Sequence, residues 1–224
     1  IPLFPSKLFK ELLIEIQNRN FEALRQDAPE AMLAFPNQPL PYLLGGIAFK
    51  EGKDYERASD YLQDGLAFVF NNARLQTEFH LHLAEVFHYL EDHQESDYHF
   101  EEVLAVNPSH AGALNNYAYY LSLRKDRLTE ALQMSERANQ ISPNNPVYLD
   151  TEAWILYQLG NYREARVKIE KALKFLGAAE VEILEHYGDI LLKLEEPALA
   201  KAQYEKALEI EERPDLRNKL NQVP

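Results

Sequence analysis

The histidines carry the most chemical potential in this chain, because six of the seven fall between His80 and His110. Glu85-x-x-His88 places a carboxylate and an imidazole on one helical face, the i, i+3 spacing used by di-iron carboxylate bundles, with His80, His93 and His99 as further candidate ligands. A dinuclear centre needs a second Glu-x-x-His and more inward glutamates, and the sequence offers no matching pair. The expectation is a solvated or surface-lining set of histidines and no metal site. The acidic runs Glu101-Glu102, Glu195-Glu196 and Glu209-Ile210-Glu211-Glu212 read as solvated helix faces, since carboxylates gather around a hard cation only when a rigid loop holds them. There is no G-x-S-x-G, no phosphate loop and no dinucleotide fingerprint. With no cysteine, thiolate catalysis and disulfides are excluded. The chain is expected to have no catalytic residue and no cofactor.

The charge balance narrows the partners. The 224 residues are 46% hydrophobic and 26% charged, and 36 acidic residues against 23 Lys and Arg give a formal charge of -13. That balance argues against a nucleic-acid footprint, because phosphate binding needs clustered positive charge, and no nucleic-acid partner is expected. Apolar runs such as Leu12-Leu13-Ile14 are far shorter than the ~20 residues needed to cross a bilayer. The chain starts at Ile1, so the segment is expected to be processed or cut from a longer one, and a signal or lipid anchor is expected to be missing from it.

What must position any site is a repeat. Small residues recur at Gly46, Ala84, Ala118, Ala153 and Gly188, with gaps of 38, 34, 35 and 35. A second column holds Ala58, Ser96, Ala131, Ala165 and Ala200, and a third Gly65, Val103, Ala138, Ala172 and Ala207. Apolar spacing around them, as in Leu184, Tyr187 and Leu191, then Tyr204, Ala207 and Leu208, is that of paired amphipathic helices. Helices approach to ~8 Å only where side chains are minimal, so each unit is a helical hairpin with small residues at its crossing. Glu51-Gly52-Lys53-Asp54 and Leu159-Gly160-Asn161 predict turns in which glycine supplies a left-handed cap. Asn107-Pro108-Ser109, Ser142-Pro143-Asn144-Asn145-Pro146 and Glu212-Arg213-Pro214 predict helix stops followed by Ser or Asn caps.

Tyr42-x-x-Gly45-Gly46-x-x-Phe49, His80-x-x-Leu83-Ala84-x-x-Phe87, Leu114-x-x-Tyr117-Ala118-x-x-Leu121, Leu149-x-x-Glu152-Ala153-x-x-Leu156 and Leu184-x-x-Tyr187-Gly188-x-x-Leu191 share a large-x-x-large-small-x-x-large pattern. This resembles the tetratricopeptide repeat family, with its unit of about 34 residues, and more distantly bacterial scaffold proteins of that family. The resemblance implies an all-α, right-handed α-α superhelix of about six helical hairpins. Residues 1–38 are a degenerate first hairpin. Five repeats follow at about 39–72, 77–110, 111–145, 146–179 and 181–214, and 215–224 is a capping segment. Gly45 and Glu152 depart from the pattern at large apolar sites, and Asn71 to Leu75 are expected to extend a second helix.

The resemblance also implies that first helices line a concave groove holding a partner protein or peptide. The face opposite the packing columns presents Glu85, His88 and Tyr89, then Asn115, Tyr119 and Ser122, then Asp150, Trp154 and Tyr157, then Glu185, Asp189 and Lys193. That face is aromatic and acidic, so a basic or aromatic peptide is expected rather than an acidic C-terminus. Trp154, Tyr119 and Tyr157 suit a binding platform; burial between helices is the other reading of aromatic residues at this spacing, and both stay open. Asn115 and Asn116 suit anchoring of a peptide backbone or, equally, capping. The expected function is a non-catalytic interaction module or assembly scaffold. The alternatives are an arm of a larger enzyme or secretion complex, or a metal-binding helical enzyme. Homo-oligomerisation through an uncapped end and a bacterial envelope location, slightly ahead of the cytoplasm, complete the expectations.

Overall fold

A computed structural model describes residues 7–178 and 180–224, so residues 1–6 of the expected first hairpin and Ala179 at the end of the fourth repeat lie outside the described residues. Among the described residues the chain forms thirteen helices and no strand. It divides into two compact units, Ile1–Pro108 and Ser109–Pro224. The first holds α1 (Lys7–Gln17), α2 (Phe21–Ala34), α3 (Pro39–Glu51), α4 (Tyr55–Leu66), α5 (Ala73–Tyr89) and α6 (His93–Val106). The second holds α7 (Ala111–Leu123), α8 (Leu128–Ile141), α9 (Pro146–Gln158), α10 (Tyr162–Phe175), α11 (Val181–Lys193), α12 (Pro197–Ile210) and α13 (Pro214–Asn221).

Local signals start these helices. Asn20, Asp54, Asn72 and Asp92 each accept a backbone N–H three residues ahead, satisfying a donor the first turn leaves unpaired. Pro39, Pro146, Pro197 and Pro214 stand at the first helical position, where no N–H is needed. One expected cap moves: α7 is capped by His110, whose Nδ1 accepts from Ala113 N–H at 3.1 Å, and not by Ser109. The left-handed turn residues also differ from expectation. Gly160 has φ +81, but Gly52 has φ -80 and the left-handed position beside it is Lys53. A Cβ on Gly52 would stand 2.4 Å from Arg25 Nη1, so the guanidinium, which donates to Ala48 O at 3.1 Å, would have to shift. Arg19, Glu91, Lys125 and Glu195 fill the corresponding position in other hairpin turns.

Within each unit every helix packs on the next, and first helices pack on each other: α1 on α3 and α3 on α5 in the first unit, α7 on α9 and α9 on α11 in the second. The small columns are the reason. All fifteen column residues are buried. A Cβ on Gly46 would stand 2.5 Å from Leu62 Cγ, and one on Gly188 would overlap the Tyr204 ring. Gly45 takes a large residue's place because the Tyr61 ring of α4 already fills that space. Asn71 to Leu75 do not extend α4, which stops at Leu66; residues 67–72 form a link, and Ala73 to Leu75 lengthen α5 to 17 residues.

Candidate functional site

In the first unit, Glu85 on α5 forms an ion pair with Lys50 of α3, whose ammonium is also 3.2 Å from His82 Nδ1. Burial raises the Glu85 carboxyl, but the His82 hydrogen bond and the Lys50 charge outweigh it and hold it down at about 2. His88 is half-buried, its ring against Tyr89 and His93, and Tyr89 is exposed and stacked on Tyr55 with centroids 4.6 Å apart. His80 and His99 face each other from α5 and α6, both buried, with Nδ1 atoms 2.8 Å apart. Burial lowers both, and the neighbouring imidazole helps bring His99 to about 4, so the pair is neutral at pH 7, one ring donating to the other. His88 lies near His93, and His80 pairs with His99, but among the described residues no three or more His, Asp or Glu side chains converge in a way that could hold a metal ion.

The second unit gathers more. Asn115 and Tyr119 lie on α7, Asp150, Trp154 and Tyr157 on α9, and Glu185 and Asp189 on α11. Asn115 is buried; its Nδ2 donates to Asn116 Oδ1 at 3.2 Å, and its own Oδ1 has no hydrogen-bond partner. The Tyr119 hydroxyl donates to the Glu182 carboxylate, joining α7 to α11. Ser122 is buried and donates to Tyr119 O, while Lys193 is exposed. Trp154 is half-buried and stacked with Tyr157, centroids 4.9 Å apart, and with His186, 4.1 Å apart. Its Nε1 is buried without a hydrogen-bond acceptor.

The acidic residues of this face are paired internally. Asp150 is buried beside His186, whose Nδ1 is 2.9 and 3.1 Å from the two carboxylate oxygens. Burial pulls the imidazole down, yet the Asp150 charge and hydrogen bond overcome it and raise His186 above the ordinary histidine value. Glu185 binds Arg213 at 3.0 Å and Lys219 at 2.7 Å. Asp189 accepts from the Tyr204 hydroxyl at 2.6 Å and binds Lys219 at 2.6 Å. Burial, reinforced by that carboxylate, pushes Tyr204 far above the normal phenol range. Sequence reasoning did not include His186, Arg213 or Lys219. The available signals were the one histidine set apart from the other six and two cations flanking the α13 proline turn.

Glu152, the polar departure from the repeat pattern, is buried with Lys168 at 2.6 Å and Asn139 Nδ2 at 2.9 Å, so its charge is met from α10 and α8. Beside the second-unit face, Trp154, Val181, Glu182, Glu185, His186, Asp189, Glu211, Arg213 and Lys219 enclose a cavity of about 510 Å³. No described helix is long and apolar enough to cross a membrane.

Helical hairpins nested through small-residue columns, with a polar and aromatic first-helix face, define a helical repeat protein. The tetratricopeptide repeat profile matches residues 181–214. A TPR repeat-containing protein of Pseudomonas aeruginosa is 30% identical over 148 residues, covering 66% of this chain and 24% of that protein, so the chain spans about a quarter of that relative's length. A tetratricopeptide repeat protein from Parabacteroides merdae superposes with a TM-score of 0.76 at 17% identity, over 96% of this chain and 85% of the other. YrrB, a TPR protein described as having an unusual peptide-binding site, superposes with a TM-score of 0.59 at 15% identity, over 88% and 98%. The chain is thus similar to tetratricopeptide repeat proteins in repeat profile, in sequence and in fold. Proteins of this family are in general non-catalytic scaffolds that bind proteins or peptides.

Proposed function

We propose that the face formed by α7, α9 and α11 binds an extended segment of a partner protein, with Asn115, Tyr119, Asp150, Trp154, Tyr157, Glu185 and Asp189 as its floor. The observation that carries this reading is Trp154. A tryptophan half-open to solvent and held flat by stacking on Tyr157 and His186 has the character of an interface anchor, a large aromatic surface fixed in place for contact.

Glu85, His88 and Tyr89 form a separate patch in the first unit. Because Asp150, Glu185 and Asp189 are held in internal pairs, they act by fixing the floor and setting its potential more than by touching the partner. The chain's charge of -13 favours basic or aromatic segments over acidic ones. The test is affinity capture with wild-type protein and with Tyr119→Ala/Trp154→Ala. The double variant is expected to lose partners the wild type retains, with unchanged helicity by circular dichroism. Recovery of the same set at the same yield rules out this face.

A further inference from the structure

The cavity beside Trp154 has a charge pattern that selects its occupant. Four carboxylates line it, Glu182, Glu185, Asp189 and Glu211, against two permanent cations, Arg213 and Lys219. Lys219 is bound to both Glu185 and Asp189, and Arg213 to Glu185 and Asp215. His186 is matched by Asp150. Every cation in the wall already has a carboxylate, so an anion entering the cavity would have to break an existing pair. A cation has no such obstacle. Glu182 is exposed and engaged by the neutral Tyr119 hydroxyl, and Glu211 is exposed beside an arginine already held by two other acids. These two leave net negative charge at the mouth, with the Trp154 ring in the adjoining wall.

We propose that this cavity seats one arginine or lysine side chain of the partner segment, with Glu182 and Glu211 taking the cation and the Trp154 ring flanking it. The proposal rests on the second-unit face being the binding face, and it names which partner residue anchors there. Arginine suits the mouth better than lysine, because a planar guanidinium reaches two carboxylates at once. Placing the cation between exposed acids in a cleft also avoids the cost of burying an unpaired charge.

The test uses the full chain and acetylated, amidated nonapeptides of one Gly/Ser/Ala sequence with arginine, citrulline or glutamate at the centre. Citrulline keeps the shape of arginine without its charge. Trp154 is the only tryptophan, so its emission reports occupancy of this cavity directly, and calorimetry gives the affinity. The arginine peptide is expected to bind about tenfold or more tightly than the citrulline peptide at low salt, and the glutamate peptide not at all. Glu182→Gln/Glu211→Gln, in which the amide oxygen at 182 can still accept from Tyr119, is expected to remove the arginine preference while thermal unfolding stays cooperative. Equal binding of arginine and citrulline peptides would overturn the cation anchor while leaving the face itself intact as a binding surface. Absence of binding by all three at about 1 mM overturns the anchor too, and the capture experiment then judges the face alone. A fourth arm uses spermidine: if it saturates the emission change and the arginine peptide does not, the cavity is a small-cation site and the proposal fails.

Discussion

The Asp150–His186 pair is a buried charge pair that ties α9 to α11, and its sign determines how stability responds to pH. Because the folded state raises the His186 value above the unfolded ~6.5, the pair's contribution is complete below about pH 6.5 and is lost as pH climbs through the raised folded value. Asp150→Asn removes the counter-charge, so burial drives the His186 proton off in the folded state, and the variant is expected to lose up to ~3 kcal/mol in that lower range, with a smaller cost near pH 9. Denaturant midpoints of the two proteins from pH 5.5 to 9 would measure the gap, and a gap constant with pH contradicts the assignment. This pairing was not legible in the sequence. Asp150 and His186 are 36 positions apart, and Asp189 and Lys219 are 30 apart. Reading residue types on one helix face gave an acidic surface. The neutralising groups come from other helices, and only the stacking of hairpins brings them in.

At the scale of the helical hairpin, two glycines separate two physical roles that look alike in sequence. Gly160 has a left-handed backbone and nothing within 4 Å of a would-be Cβ, so Gly160→Ala should cost only the conformational term, ~1 kcal/mol. Gly188 has an ordinary helical backbone and the Tyr204 ring against it, with the Tyr204 hydroxyl tied to Asp189. Gly188→Ala must therefore displace a fixed ring, and ~1–3 kcal/mol is expected. Thermal melts of the two variants test the difference, and a Gly188→Ala protein as stable as wild type would show that the crossing is looser than described. The small columns were legible because close helix crossings admit few residue types, so they recur wherever the crossing does. Hairpin turns were less so: Lys53 takes the left-handed position expected of Gly52, and Glu91 and Glu195 take it in turns that hold no glycine, since a strain of ~1 kcal/mol is tolerable inside a well-packed hairpin.

Across the whole molecule the buried histidines of the two units shift in opposite senses. In the first, burial depresses His80 and brings His99 to about 4, so the unfolded chain binds more protons between about pH 4 and 6.5 and stability falls as pH drops through that window. In the second, the His186 pair is at full strength over the same range. Between pH 7 and pH 5, hydrogen-exchange protection in α5 and α6, corrected for intrinsic rates, is expected to fall while that in α9 and α11 holds. Parallel loss in both units would contradict these histidine environments. The repeat architecture was readable from period alone, whereas this division of labour depends on which imidazole faces a carboxylate and which faces another imidazole.

The Tyr119–Glu182 hydrogen bond, reaching from α7 to α11, acts like a bowstring across the second unit. A guest settling against α9 has to loosen that string or pass beneath it. Part of its binding energy is then spent on opening, so contact area will overstate affinity. Removing the hydroxyl with Tyr119→Phe should hasten entry even as it leaves the unit slacker.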